Sequence, residues 1–203
     1  MSSRIAPSNL RVAALIASST YINTVLGFLV SVVVARSLGP HDYGQYAYLV
    51  WLSGLLVTIG NNGLSSCGIR FIAECRGRGE HELAQQVHGW LDRLQAISVV
   101  ATVVLFAIST VFWKPKGWEQ SNLLLLAVVS FSVLSRAIYI FDISIAKGYK
   151  NFSVESWITI VTSVLYVLGA VLLAALDADL VYFAIFFGLL SVIFSASSRF
   201  MLR

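Results

Sequence analysis

The sequence carries little charge for its length: only 12% of its 203 residues are Asp, Glu, Lys or Arg, whereas 58% are hydrophobic. A soluble domain typically has about 25% charged residues. The charged residues also cluster, and the apolar runs between them are long enough to cross a hydrocarbon core of about 30 Å as helices. The composition therefore excludes an ordinary soluble protein and predicts an integral membrane protein.

Reactive and metal-binding residues are also scarce. The two cysteines, Cys67 and Cys75, fit neither a disulfide framework nor a common metal motif. His81 and His88 do not form a metal motif either, and the sequence has no Gly-rich phosphate loop, nucleophile elbow or His-Glu-x-x-His motif. We therefore expect no cofactor, no metal and no enzymatic activity; a membrane enzyme is disfavoured because paired catalytic groups are missing. Without a basic patch interleaved with aromatics on a soluble segment, we also expect no nucleic-acid partner.

Six apolar runs are long enough to span a membrane, at approximately 12–35, 43–62, 94–113, 123–146, 156–176 and 180–198. They lack strict alternation and exceed the roughly 9–11 residues of a barrel strand, so helices are predicted. The first run is longer than the apolar core of a cleaved signal peptide, so we expect it to be retained. The prediction is an all-α integral membrane protein, with residues 1–203 forming a single bundle of about six transmembrane helices.

The distribution of Lys and Arg predicts the orientation, because these residues prefer cytoplasmic loops. With the N-terminus inside, ten of the 14 fall on the cytoplasmic side, namely Arg4, Arg11, Arg70, Arg76, Arg78, Arg93, Lys147, Lys150, Arg199 and Arg203. Three fall outside, namely Arg36, Lys114 and Lys116. Both termini are therefore predicted to be cytoplasmic. Tyr43, Tyr46 and Tyr182 then lie near the outer boundary, as expected of an interfacial aromatic belt.

Two local patterns connect the first three spans. Gly39 can adopt the left-handed conformation that ends a helix, and Pro40 can open the next helix, which predicts a tight external hairpin. After the second span, glycines and asparagines at 60–63 indicate a turn. The segment 64–92 is then predicted to be amphipathic and cytoplasmic, with an apolar face formed by Leu64, Cys67, Gly68, Phe71 and Cys75.

Arg136 and Asp142 lie within the fourth predicted span, where a charge at the helix centre costs about 2.5–3.5 kcal/mol. At 100° per residue they share one third of the circumference with Ser132, Ser135 and Tyr139, so this arc should face other helices or water. Either Arg136 and Asp142 line a cavity, or they form a structural pair, or Arg136 snorkels inward. In the first span Ser19, Asn23, Gly27 and Ser31 recur at steps of four, which favours helix packing.

Three stretches resemble a known family. The hairpin at 35–44 contains Arg36, then Leu-Gly-Pro at 38–40, then Tyr43-Gly44. It resembles the hairpin after helix one of polysaccharide biosynthesis proteins, the O-antigen-type flippases of the multidrug, oligosaccharidyl-lipid and polysaccharide exporter superfamily. The stretches 60–74 and 135–152 are also similar to that family, and the resemblance covers roughly residues 10–175.

The resemblance implies the N-terminal lobe of a two-lobed flippase in the bacterial cytoplasmic (inner) membrane. Such a protein moves undecaprenyl-diphosphate-linked oligosaccharides for polysaccharide or lipopolysaccharide biosynthesis. It would have a water-filled cavity with cations for the diphosphate and polar groups for the sugars. The cavity candidates are Arg136, Asp142, Asn23, Tyr139, Arg36 and Arg70, and the structural motif is Gly39, Pro40, Tyr43 and Gly44.

Family members usually have twelve or more helices, whereas six are predicted here. This number is compatible with a fragment, with a pair of copies that assemble, or with an inactive flippase. The expected partners are the lipid-linked oligosaccharide, membrane lipids, a second lobe or second copy, and glycan polymerase or ligase proteins. Two alternative functions stay open: a multidrug or metabolite exporter of the same superfamily, and a non-transporting membrane scaffold for glycan assembly.

Overall fold

A computed structural model describes residues 7–112 and 122–202, and every regular element within these ranges is helical. The predicted loop with Lys114 and Lys116 lies outside the described residues, as do Arg4 and Arg203. The helices are α1 (Pro7–Asn61), α2 (Leu64–Gly77), α3 (His81–Phe112), α4 (Asn122–Gly148), α5 (Ser153–Ala175) and α6 (Leu180–Leu202). The predicted all-α fold class is therefore confirmed.

Helix α1 is a hairpin of two arms, 7–38 and 40–61, because its backbone turns at Gly39 (φ 73°, ψ 174°). Asn23 on the first arm and Tyr46 on the second both contact α5, at Ser163 and Tyr166 respectively. In a straight helix, residues 23 and 46 would be about 35 Å apart, so the arms must fold back on each other. The positive φ predicted at Gly39 is confirmed. The turn is tighter than the predicted gap of 36–42, because helix resumes directly at Pro40.

The two arms of α1 add two crossings to those of α3, α4, α5 and α6. Five helices are long and apolar enough to cross a membrane, and the first of them contains the hairpin. The chain is therefore a multi-pass membrane protein. Helix α3, with 32 residues, is about 48 Å long, so it extends beyond a hydrocarbon core of about 30 Å. We call the two ends of the bundle the Gly39 end and the Gly148 end.

Helix α2 packs against α3 and α4 at the Gly148 end. A Cβ placed on Gly68 would lie 3.1 Å from Ile145 Cδ1, and one on Gly148 would lie 3.0 Å from Ile72 Cβ. The predicted apolar face is partly wrong: Cys67 is exposed and Phe71 is half exposed, whereas Gly68, Ile72 and Cys75 are buried. The glycines bring the backbones close together, which selects Ile72 for the contact and turns the larger Phe71 outward.

Helix α4 lies at the centre and packs against α6, α2, α1 and α3. One face, at steps of four, is almost fully buried and consists of Leu125, Val129, Val133, Ala137 and Phe141. Ser132 and Ser135 of the predicted polar arc are also buried, and Arg136, Tyr139 and Asp142 are partly buried. This burial agrees with the prediction that the arc faces other helices or water. The outer surface exposes large apolar side chains such as Phe28, Trp51, Leu105 and Leu168, as expected of a lipid-facing surface.

Candidate functional site

Arg136 lies near the middle of α4, and its guanidinium carbon stands over two aromatic rings of α6. The distances are 5.3 Å to the centre of the Phe187 ring and 6.0 Å to that of Phe194. Phe187 and Phe194 are seven residues apart, which places both on one face of α6. Stacking of a cation on aromatic faces is worth about 0.5–2 kcal/mol, more when water is excluded. The rings therefore offset only part of the cost of a charge at this depth.

No carboxylate within the described ranges lies within 4.0 Å of Arg136, and its guanidinium makes no hydrogen bond to a described residue. Arg136 is nevertheless only partly buried, so the guanidinium is not sealed inside the bundle. The contacts given for it are with the flat rings of Phe187 and Phe194. The arrangement leaves donor groups free for an anionic ligand, since five N–H groups in a planar fork are available.

Three tyrosines from three elements lie beside the two rings that contact Arg136. Tyr46 on α1 packs against Phe187, Tyr139 on α4 packs against Phe194, and Tyr166 on α5 is bonded to Tyr46. The Tyr46 and Tyr166 hydroxyls are hydrogen-bonded to each other and join the α1 hairpin to α5. The Tyr139 hydroxyl lies 3.4 Å from Thr159 Oγ1, and its ring packs edge-on against Phe194 at 4.9 Å between centroids. We call Arg136, Tyr46, Tyr139, Tyr166, Phe187 and Phe194 the arginine–aromatic cluster.

Asp142 does not pair with Arg136, so the predicted structural pair between these residues is not formed. Its Oδ2 accepts a hydrogen bond from Ser198 Oγ at 2.8 Å, and Arg199 Nε lies 3.9 Å from the same oxygen. Asp142 is six residues beyond Arg136, about 9 Å along the helix, and it turns toward the end of α6 instead. Asp142 thus belongs to the Gly148 end and not to the arginine–aromatic cluster.

Asn23 lies at the level of the cluster. Its Oδ1 accepts a hydrogen bond from Ser163 Oγ at 2.7 Å, and Ser163 is three residues before Tyr166, about 4.5 Å of helix. The side chain is exposed, and its Nδ2 has no hydrogen-bond partner among the described residues. The other predicted cations lie elsewhere: Arg36 is exposed beside the Gly39 turn, and Arg70 is exposed on α2. Within the described part of the chain, neither of them shares a site with Arg136.

Several members of the site were not predicted. Tyr46 was assigned to the outer aromatic belt, but it is 5% exposed and packs edge-on against Phe183 and Phe187. The seven-residue spacing of Phe187 and Phe194 was the available signal for the α6 contribution.

The fold and the cluster define a helical membrane protein with a cation near the middle of α4 that has no carboxylate partner among the described residues. The family model for polysaccharide biosynthesis proteins matches residues 10–201, which is nearly the whole chain. The chain therefore belongs to the polysaccharide biosynthesis protein family, as the resemblance of its hairpin indicated. No curated protein and no solved structure matches it.

Proposed function

We propose that this chain forms one lobe of a transporter that flips undecaprenyl-diphosphate-linked oligosaccharides across the bacterial cytoplasmic membrane. In this proposal Arg136 contacts the diphosphate. The observation that carries it is a mid-span guanidinium without a carboxylate partner among the described residues. Membership of the polysaccharide biosynthesis family supports the substrate class.

The physical problem of such a transporter is to carry a charged diphosphate and a polar glycan through hydrocarbon. A charge at the bilayer centre is unfavourable by about 2.5–3.5 kcal/mol, so Arg136, which has no carboxylate partner in the described ranges, is expected to have a function. Its planar fork can donate two parallel hydrogen bonds to phosphate oxygens. Phe187 and Phe194 hold the guanidinium from one side and leave its edge for the anion.

Polar groups at the same level would contact the sugars. The Nδ2 of Asn23 has no acceptor among the described residues, and within the same ranges the Tyr139 hydroxyl has only a long contact, 3.4 Å, to Thr159. Glycan hydroxyls can both donate to and accept from such groups. Arg36 and Arg70, exposed near opposite ends of the lobe, would act in attracting the anionic lipid at either membrane face.

The first arm of α1 supports a second lobe or a second copy as partner. Five small or polar residues share about 100° of its circumference, and all are exposed: Thr20, Asn23, Thr24, Gly27 and Ser31. Thr20 and Thr24 bond to carbonyls of their own helix, at 2.9 Å each, whereas the amide nitrogen of Asn23 bonds to no described residue. Because lipid offers no hydrogen bonds, this face suits a water-filled cavity between two lobes that rock to give alternating access.

Complementation of a flippase-null strain tests the proposal, in cells that also contain whatever completes the second lobe. Arg136→Ala should abolish complementation at normal membrane protein level. Arg136→Lys should retain a fraction of the complementation, because lysine keeps the positive charge but lacks the planar fork of guanidinium donors. The matched control is Arg78→Ala, which removes a cation exposed at the surface and paired with Glu74 at 2.6 Å.

Accumulation of lipid-linked oligosaccharide on the inner leaflet separates failed transport from failed synthesis. Full complementation by Arg136→Ala at normal protein level would refute the role of Arg136 in transport. Loss of the protein from the membrane in Arg136→Ala and Arg136→Lys alike would assign the residue to folding instead.

A further inference from the structure

A polar cavity lies at the Gly148 end of the bundle, apart from the arginine–aromatic cluster. Helices α3, α4 and α6 and the turn after α4 form its walls, and its volume is about 490 Å³. Small-molecule sites have volumes of about 300–1,000 Å³, so the cavity is large enough for such a ligand. Its polar lining consists of His88, Asp142, Tyr149, Asn151 and Arg199.

These side chains have unused hydrogen-bonding capacity. Asp142 receives a hydrogen bond at Oδ2, whereas its Oδ1 receives none from a described residue. Asn151 accepts a hydrogen bond at Oδ1, and its Nδ2 has no acceptor in the described ranges. The Tyr149 hydroxyl and the His88 ring likewise bond to no residue that the structure describes. The cavity therefore offers both donors and acceptors to a ligand.

The turn that carries Tyr149 and Asn151 is held in place by its own contacts. The Asn151 amide donates to the Ala146 carbonyl at 2.9 Å, across the left-handed Lys150 (φ 62°). Arg76 on α2 donates to the Tyr149 carbonyl at 2.8 Å, and its guanidinium carbon lies 5.2 Å from the centre of that ring. A ligand would thus meet groups that are already positioned, which lowers the entropic cost of binding.

The charges that line the cavity cancel. Asp142 carries one negative charge and Arg199 one positive charge, with Arg199 Nε 3.9 Å from Asp142 Oδ2. With a neutral His88 the net charge of the lining is zero. Asp92 is exposed and lines the neighbouring cavity of about 170 Å³ instead. An anion would meet the carboxylate and a cation would meet the guanidinium, so the lining favours a neutral ligand that both donates and accepts.

The rest of the lining is apolar. Ile145 and Ala146 line the cavity together with Tyr149, whose ring adds a flat surface. A pyranose has the same division, because its hydroxyl groups lie around the edge of the ring and its C–H groups on the two faces. Apolar walls with a few placed polar groups are the usual composition of a small-molecule site.

We propose that this cavity binds a neutral pyranose. Its hydroxyl groups donate to Asp142 Oδ1 and accept from Asn151 Nδ2 and the Arg199 guanidinium, while its C–H face lies on the apolar wall. Two adjacent hydroxyls suit the two-pronged carboxylate and guanidinium. That this sugar belongs to the glycan of the transported lipid rests on the proposed function, whereas the sugar site itself does not.

Saturation-transfer NMR on the full chain in lipid nanodiscs tests the site, with soluble methyl glycopyranosides as probes. The panel contains neutral hexosides, 6-deoxyhexosides and N-acetylhexosaminides, and each hexoside is compared with the corresponding hexuronate. At least one neutral glycoside should show saturable transfer. The hexuronate should bind more weakly than its neutral counterpart, because its charge faces Asp142.

Two variants of the lining should weaken the binding. Asn151→Ala removes one neutral hydrogen bond and should lower the affinity by about two- to tenfold. Asp142→Ala should lower it at least about tenfold, because hydrogen bonds to a charged group are stronger. Asn151 is exposed in a turn, so its variant keeps the test valid if Asp142→Ala fails to fold. Gln85→Ala, which removes an exposed amide of α3 outside the cavity, is the matched control and should bind normally.

Arg136→Ala separates this site from the proposed transport function, because it should lose complementation and keep sugar binding. Full complementation by Arg136→Ala would refute the role of Arg136 and leave the sugar site standing. Sugar binding that is lost in Arg136→Ala but unchanged in Asp142→Ala and Asn151→Ala would place the sugar at the arginine–aromatic cluster and overturn the cavity site. Absence of saturable transfer from every neutral glycoside, or tighter binding of the hexuronate, would overturn it as well.

Discussion

The ring of Phe186 on α6 occupies the space that a Cβ atom would need at Gly169 on α5. The same ring packs against Tyr166, one turn earlier on α5, at 6.0 Å between centroids. The close approach of α5 and α6 thus also holds the tyrosine that bonds to Tyr46. Small residues have this role in membrane helices because tight van der Waals packing replaces the hydrophobic effect.

Gly169→Ala should therefore destabilise the bundle. The added methyl group must displace Phe186, and overpacking of this kind costs about 1–3 kcal/mol. The measurement is the thermal midpoint and the folded yield in nanodiscs. Gly27→Ala is the control, because no described atom lies within 4 Å of the Cβ position there. Equal stability of the two variants would show that Phe186 moves aside freely.

Alanine substitutions at two glycines of the hairpin should change the stability of the protein in opposite directions. Gly39 has a φ of 73°, which strains any residue with a Cβ by about 1–2 kcal/mol. Gly44 lies in regular helix with an open Cβ position among described atoms, so alanine there gains up to about 1 kcal/mol of helix propensity. Gly39→Ala should lower the thermal midpoint and Gly44→Ala should hold or raise it. A lower thermal midpoint in both variants would mean that the Cβ position of Gly44 is in contact with another group.

Labelling of single cysteines in intact cells tests the predicted orientation, in a chain with Cys67 and Cys75 changed to Ser. Asp177→Cys, in the turn between α5 and α6 at the Gly39 end, should react with a membrane-impermeant maleimide. Arg78→Cys, exposed at the opposite end, should react only after the membrane is opened. The positive-inside bias is the reason for this expectation. Rapid labelling of Arg78→Cys in intact cells would invert the topology.

The features that could be predicted from sequence are those with a local cause. The Gly39 turn follows from the conformational freedom of glycine and the ring of Pro40. The inward arc of α4 follows from helical periodicity and the absence of polar partners in lipid. Both depend on residues that are neighbours along the chain.

The features that could not be predicted depend on contacts between distant elements. Asp142 could have paired with Arg136 on its own helix, and only the position of α6 shows that Ser198 and Arg199 meet it instead. Periodicity around α2 did not separate Phe71 from Ile72, because both are large and apolar. Ile72 is the buried one of the two because the close approach of α2 and α4 at Gly148 places it in the contact.

The hydroxyl pair of Tyr46 and Tyr166 should show energetic coupling. Tyr46 is 5% exposed, so Tyr166→Phe alone leaves its hydroxyl buried without that partner, at a cost of about 1–3 kcal/mol. Removing both hydroxyls leaves no such group, so the double variant should lose less stability than the sum of the single variants. Tyr21→Phe, at a residue that is 76% exposed, is the control and should be silent.

The measurement for this pair is a double-mutant cycle of unfolding free energies in nanodiscs, with a coupling of at least about 0.5 kcal/mol expected. Strict additivity would mean that the two hydroxyls act separately, each toward water or toward Arg136. The same four proteins should then be compared by complementation. If the pair only joins the hairpin to α5, transport should follow stability across the set. If the hydroxyls also contact the substrate beside Arg136, the double variant should regain stability without regaining transport.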